Sequence, residues 1–147
     1  MSDSAPFTVL EVSWQKSEPA LQGIRKTVFI SEQNVPESLE WDGLDAQCLH
    51  LLVVDLQGQP IGCARLLASG HIGRMAVLSE WRGRGVGAAL LRALLDIARR
   101  QSHPEVFLNA QTYAVGFYEK YGFERLGDEF LDAGIPHFKM RCRLRIA

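Results

Sequence analysis

The stretch EWRGRGVGAALL (residues 80–91) sets three glycines and two arginines at the head of an otherwise helical pattern. Val86, Leu90, Leu91, Leu94, Ile97 and Ala98 recur at helical spacing, and the pattern ends before Pro104 with Arg99 and Arg100 suited to a helix C-terminus. Yet Gly83, Gly85 and Gly87 stand at every second position, and a glycine in a helix interior costs roughly 1 kcal/mol relative to alanine. A helix start offers unpaired N–H groups and about half a positive charge. Glycines there let the backbone approach a bulky anion with no Cβ between, and Arg82 and Arg84 can add charge-assisted contacts to phosphate oxygens. The segment reads as a phosphate cradle that sacrifices helix propensity.

Its spacing excludes two nucleotide motifs. A Walker loop needs Lys-Ser or Lys-Thr after its glycines, and none follows. A dinucleotide fingerprint needs a third glycine where Leu90 stands, and the segment falls mid-chain after several strands. A plain glycine-rich turn decorated with arginines is the competing reading of the motif alone.

Working outward, residues 7–12 alternate as a strand. Ser17 offers an N-cap ahead of Pro19, and Leu21, Ile24, Val28 and Phe29 form a helical stripe. Residues 34–47 are loop-like, and CLHLLVVD (48–55) is a dense apolar strand closed by the turn LQGQP. IGCARLLAS and HIGRMAV are two further strands around a Ser69-Gly70 hairpin signal. After the long helix come a strand at 105–110, a short helix stopped by Gly122, and strands at 124–130 and 137–145. The order β-α-loop-β-β-β-α-β-α-β-β gives a mixed α/β class with an antiparallel meander, in one domain spanning residues 1–147.

Composition narrows the function classes. The 147 residues carry a net charge of −1, so bulk charge does not point to nucleic acid. The charges are segregated: no Lys or Arg lies between Lys26 and Arg65, while Glu32, Glu37, Glu40, Asp42, Asp45 and Asp55 do. Such a segment suits a site that attracts a cationic substrate, or simply forms a solvated acidic loop. Cys48, Cys63 and Cys142 form no CxxC pair, which argues against disulfides and a metal site and suits a reducing cytoplasm. No signal peptide is evident, and no apolar run approaches the ~18 residues that span a bilayer. Lys139, Arg141, Arg143 and Arg145 alternate at strand period, so they form one solvated strand face rather than a nucleic-acid surface.

Arg82-Gly83-Arg84-Gly85-Val86-Gly87 resembles the R/Q-x-x-G-x-G/A signature of the GNAT N-acetyltransferases. HIGRMAVLSEWRGRG resembles that family's fourth strand and loop, and LNAQTYAVGFYEKYGF its fifth strand and following helix. RKTVFISEQNVPESLEWDGLDAQCLHLLV and GDEFLDAGIPHFKM are similar to a bacterial ElaA-like subgroup. The resemblance implies a mostly antiparallel sheet with splayed central strands flanked by helices. It also implies acetyl-CoA as cosubstrate, no metal, and direct attack of an amine on the thioester.

By the same resemblance, the backbone of Met75, Ala76 and Val77 would face the pantetheine arm, and residues 82–87, with Ala88 beside them, the pyrophosphate. Asn109 and Gln111 would sit near the pantetheine or acetyl end. Tyr118, in the family's FY-x-x-x-GF segment, would protonate the departing thiolate, a role open to a phenol of pKa near 10. Phe117 and Tyr121 read as a core stripe, while Tyr118 lies about 100 degrees round the helix from Phe117. The general base is not fixed by the sequence: Glu32, Glu40, Asp42, His71 and His137 are candidates, with His137 in GIPHFKM bordering the expected acceptor side and His50 and His103 structural or superficial. Glu32, Gln33, Trp41 and Asp42 are the positions expected to meet the acceptor. A polyamine, amino acid or aminoglycoside-like amine fits, a protein lysine stays open, and the family's habits admit a homodimer. The reading from another class is a non-catalytic acyl-CoA-binding or sensor module.

Overall fold

The computed structural model describes residues 6–144. Four strands, β1 (Phe7–Val12), β2 (Leu49–Asp55), β3 (Pro60–Leu66) and β4 (Ile72–Val77), form an antiparallel sheet in sequence order. Three more, β5 (Glu105–Gln111), β6 (Glu124–Asp132) and β7 (Ile135–Arg143), form a second antiparallel sheet in the order β5-β7-β6. The helices are α1 (Trp14–Arg25), α2 (Glu37–Glu40), α3 (Val86–Arg100) and α4 (Val115–Glu119).

The dense apolar run in β2 has a direct physical reason, because both faces of the first sheet are covered. Leu52, Cys63 and Ala76 pack with Leu21, Ile24 and Val28 of the α1 region, and Leu51, Val53, Ile61, Ala64 and Ile72 pack with α3. In β7 and the residue after it the alternation is one-sided: Met140, Cys142 and Leu144 are buried while Lys139 and Arg143 are exposed. Arg141 pairs with Glu124 at 2.7 Å, and the Lys139 ammonium lies over Phe107, as the strand-period reading of that basic run expects. Arg145 lies outside the described residues.

The sheets meet at one point. A parallel bridge joins His71 to Phe107, whose N–H donates to the Gly70 carbonyl at 3.0 Å. Gly70 has φ +90°, and a Cβ there would lie 3.0 Å from the Glu105 carbonyl oxygen, so the junction requires glycine. Beyond it β4 and β5 belong to different sheets, and their facing edges part. β4 also carries a bulge: Cys63 opposes Ala76 and Arg65 opposes Gly73, with Arg74 at φ +50°.

The structure revises several sequence expectations. The first helix starts at Trp14, not after Ser17: the Ser13 hydroxyl accepts from the Lys16 N–H, and Pro19 lies inside the helix. Ser13 wins because a start there adds a turn to a helix whose Leu21, Ile24 and Arg25 are buried, at the loss of the one backbone donor Pro19 lacks. The helix then widens into a π-helical stretch, Lys26–Glu32, which hydropathy could not reveal. The 34–47 segment holds α2 and a single 3₁₀ turn, Asp45–Gln47. The final hairpin is longer and tighter than expected, with only Ala133 and Gly134 between the strands, both at positive φ. Among the described residues no helix is long and apolar enough to cross a membrane.

Candidate active site

The parting of β4 and β5 opens a cavity of about 220 Å³. Ile72, Gly73, Arg74 and Met75 line it from one side and Leu108, Asn109 and Gln111 from the other. The π-helical stretch contributes Phe29 and leads to Gln33, and the β6–β7 hairpin brings Asp132, Ile135 and His137. Tyr118 of α4 also lines the cavity. Gln33, Met75, Asn109, Gln111, Tyr118 and His137, named separately from the sequence, therefore share one space. Gln111 donates its amide N–H to the Gln33 side-chain oxygen at 2.8 Å, tying β5 to the π-helix end.

Tyr118 is wedged edge-on between Phe117 and Phe123, with its hydroxyl 3.8 Å from the Met75 sulfur. Burial pushes its pKa up to about 12, so at neutral pH the hydroxyl keeps its proton and has one to give. His137 is buried and stacks on Phe130 with ring centroids 5.9 Å apart. Its Nδ1 lies 2.6 Å from the Ile135 carbonyl oxygen, which can only accept. That contact assigns the proton to Nδ1 and leaves Nε2 of the neutral ring as the lone-pair nitrogen. His71, the other histidine in the cavity, is held below its ordinary pKa by burial, with nearby Arg65 and Lys139 adding to the shift.

β4 leads from this cavity to the glycine segment. Gly85 is the N-cap of α3 at φ +86° and Gly83 has φ +76°, a region that side chains rarely adopt. A Cβ on either would meet no protein atom within 4 Å, so the cradle faces open space. The first bond into the helix runs from the Ala89 N–H to the Gly85 carbonyl, leaving the Val86, Gly87 and Ala88 donors directed out of the helix start. The arrangement fits a diphosphate. Arg84 stacks over Trp81 at 4.8 Å. Arg82 is fastened from both sides, donating from Nε to the Val77 carbonyl and from Nη2 to Glu32 at 2.9 and 2.7 Å.

The acidic segment takes an unexpected form. Arg25, 1% exposed between Trp14 and Trp41, donates to Glu40 and Asp45, each at 2.7 Å. Arg65 pairs with Asp42 at 2.6 Å and Asp45 at 3.0 Å, and Arg74 lies 3.2 Å from Glu40 and 3.3 Å from Asp42. Three guanidinium groups thus neutralise three carboxylates. The Arg65 hydrogen bond holds the Asp42 carboxyl well below the usual carboxylate range. Burial pushes Asp45 up, but Arg25 and Arg65 outweigh it and the net shift is down.

Glu32, Trp41 and Asp42, expected on the acceptor wall, do not line the cavity. Glu32 is drawn to Arg82 beside the cradle, Trp41 covers Arg25, and Asp42 is held by Arg65 and Arg74. His50, expected as structural or superficial, is buried: its Nε2 donates to the Asp45 carbonyl at 2.8 Å, and burial keeps its pKa low.

A family model described as acetyltransferase (GNAT) domain matches residues 15–144. The chain belongs to the GNAT acetyltransferases. The uncharacterized N-acetyltransferase YjcF of Bacillus subtilis (strain 168) is 41% identical over 121 residues, covering 80% of this chain and 86% of that protein. An acyl-CoA N-acyltransferase from Pseudomonas aeruginosa has a crystal structure that is 33% identical, covers 95% of this chain and 99% of its own, and superposes with a TM-score of 0.81. Escherichia coli ElaA is 27% identical with a TM-score of 0.84, over 93% of this GNAT and 99% of ElaA. Members of this family transfer acyl groups from acyl-CoA, which places acyl transfer on this GNAT.

Proposed function

We propose that this GNAT is an acetyl-CoA-dependent N-acetyltransferase, one functional domain in which the residues 82–87 cradle holds the cosubstrate's diphosphate. The observation that carries this reading is the meeting of a protonated phenol and a histidine with a lone pair on Nε2 in the cleft that β4 connects to the cradle. The backbone of Met75, Ala76 and Val77 guides the pantetheine arm along the open edge of β4, with Asn109 and Gln111 on the opposing wall. Gln33 borders the acceptor space. Of the sequence candidates, Glu32, Trp41 and Asp42 support the walls.

In the reaction, the amine nitrogen attacks the thioester carbonyl carbon, forming the C–N bond as the C–S bond breaks. An acceptor that arrives as an ammonium first releases one proton to solvent; His137 Nε2 then takes the second proton, which the attacking nitrogen sheds as the C–N bond forms, and Tyr118 gives its hydroxyl proton to the leaving sulfur. Proton return from His137 to the Tyr118 oxygen, through solvent, restores both groups. The products are the amide, free CoA thiol and the proton released from the ammonium, so charge and atoms balance. A positioned general acid contributes about 10²–10⁴-fold. Tyr118→Phe should therefore lower kcat by about 10²-fold or more at unchanged acetyl-CoA affinity, followed by thiol release and titration calorimetry. An unchanged rate would remove Tyr118 from the chemistry; tight acetyl-CoA binding with no turnover of any amine by the wild-type protein would instead favour a sensor module.

A further inference from the structure

The charge around the cavity mouth is nearly all spoken for. Glu40, a lining residue, is shared by Arg25 and Arg74. Outside the lining, Glu32 is held by Arg82, Glu37 accepts from the Trp41 indole N–H at 3.2 Å, and Glu129 accepts from the Thr112 hydroxyl at 2.7 Å. Among the described residues, Asp132 is the carboxylate of the lining that no arginine, lysine or hydrogen-bond donor side chain engages. The surroundings are apolar and exposed: Tyr113 is 84% and Leu39 55% accessible, and both line the cavity. Phe130, stacked on the lining residue His137, is 37% accessible. Large apolar side chains left in water around a concave site mark where an apolar ligand lies.

Resting on the acyl-transfer reading above, we propose that the acceptor is a monoamine carried on an apolar or aromatic body, its ammonium drawn to Asp132 and its body laid on Leu39, Tyr113 and Phe130. One carboxylate matches one ammonium, whereas a polyamine or aminoglycoside would bring several cations to a wall already neutralised from within. A free amino acid fits poorly for the opposite reason. Its carboxylate would face Asp132, and Arg74 already serves Glu40 and Asp42. The cavity of about 220 Å³ falls below the ~300–1,000 Å³ of sites that engulf larger ligands, so it takes the amine and its first carbons while the body rests on the rim.

The test compares 2-phenylethylamine, phenylalanine and spermidine as acceptors by thiol release from acetyl-CoA, in the wild-type protein and in Asp132→Asn. The expected result is a kcat/KM for 2-phenylethylamine about tenfold or more above the other two, the scale on which single pocket contacts discriminate. Asp132→Asn should raise its KM about tenfold with kcat little changed, as loss of one charge-assisted contact does. Spermidine or phenylalanine used as well as or better than 2-phenylethylamine, or an unmoved KM in Asp132→Asn, would overturn the acceptor assignment and leave acyl transfer standing. No turnover of any of the three by protein that binds acetyl-CoA would overturn the acceptor assignment, and acyl transfer would fall with it only where a wider panel of amines also gives no thiol release.

Discussion

The two ends of β4 handle charge in opposite ways. At its C-terminal end the cradle leaves backbone donors unpaired, glycines in the left-handed region and Arg84 exposed on an indole. At its bulge, Arg74 belongs to a cluster in which Arg25, Arg65 and Arg74 answer Glu40, Asp42 and Asp45 one for one. The first region keeps its electrostatic potential for something that arrives. The second spends its own within the fold, where an unpaired buried charge would be strongly destabilising. Binding and stability are thus assigned to separate charges, and substitutions should separate them too.

The sharpest break comes from Arg25→Ala, which leaves Glu40 and Asp45 buried without their shared partner and strips a cation from between two tryptophans. Removing one partner of such a pair costs about 3–5 kcal/mol, so chemical denaturation should show a loss of that size, with any protein that remains folded still binding acetyl-CoA. The converse substitution is Gly85→Glu. It forces a side chain into φ +86° at a strain of about 1–2 kcal/mol and brings negative charge to the anion site. Acetyl-CoA affinity should fall by tenfold or more in calorimetry while the protein stays folded; equal losses of stability in both variants would erase the distinction.

The smallest effect is the pH response. His50 titrates lower in the folded chain than its ordinary value near 6.5, so below that pH the unfolded chain takes up the proton first and stability begins to fall. Asp42 and Asp45 also titrate lower when folded. Their contribution is complete above the ordinary carboxylate pKa of about 4 and is lost as pH drops through it. Melting temperature against pH should show a shallow decline below about 6.5 and a steeper one below about 4. The steeper limb should be reduced in Asp45→Asn, with the Asp42 share remaining, and the cradle should contribute to neither.

The same contrast explains what could be read in the chain beforehand. The cradle is local: glycine spacing, two arginines and an apolar helix stripe lie within twenty residues, and the structure keeps them together. The antiparallel meander followed from strand patterns and the parting of the fourth and fifth strands from the family resemblance, while the glycine junction at Gly70 did not, since Ser69-Gly70 read only as a hairpin turn. Tyr118 and His137 also fell on the cavity, because the motifs containing them are short. The ion pairs are not local. Arg25 lies 15 residues from Glu40, and Arg65 lies 23 residues from Asp42. The acidic run looked unaccompanied only because its cations come from flanking elements. The π-helical widening that brings Phe29 and Gln33 to the cavity leaves no periodic mark in so short a stretch. Asp132 was missed because a lone carboxylate in a hairpin has no signature until its neighbours are known to be paired.

The three-against-three cluster also governs how this part of the molecule can be altered. A single exchange that removes or reverses one of these charges leaves the opposite sign in excess, so changes that keep full stability come as matched exchanges drawn from α1, β3 or β4 and the 37–47 segment together. An alanine scan across residues 40–45 would record inactive protein at Glu40, Asp42 and Asp45 and so suggest a catalytic triad of carboxylates. A charge-swap partner restoring activity at a second site, with no amine-dependent change in KM, would identify those positions as framework instead.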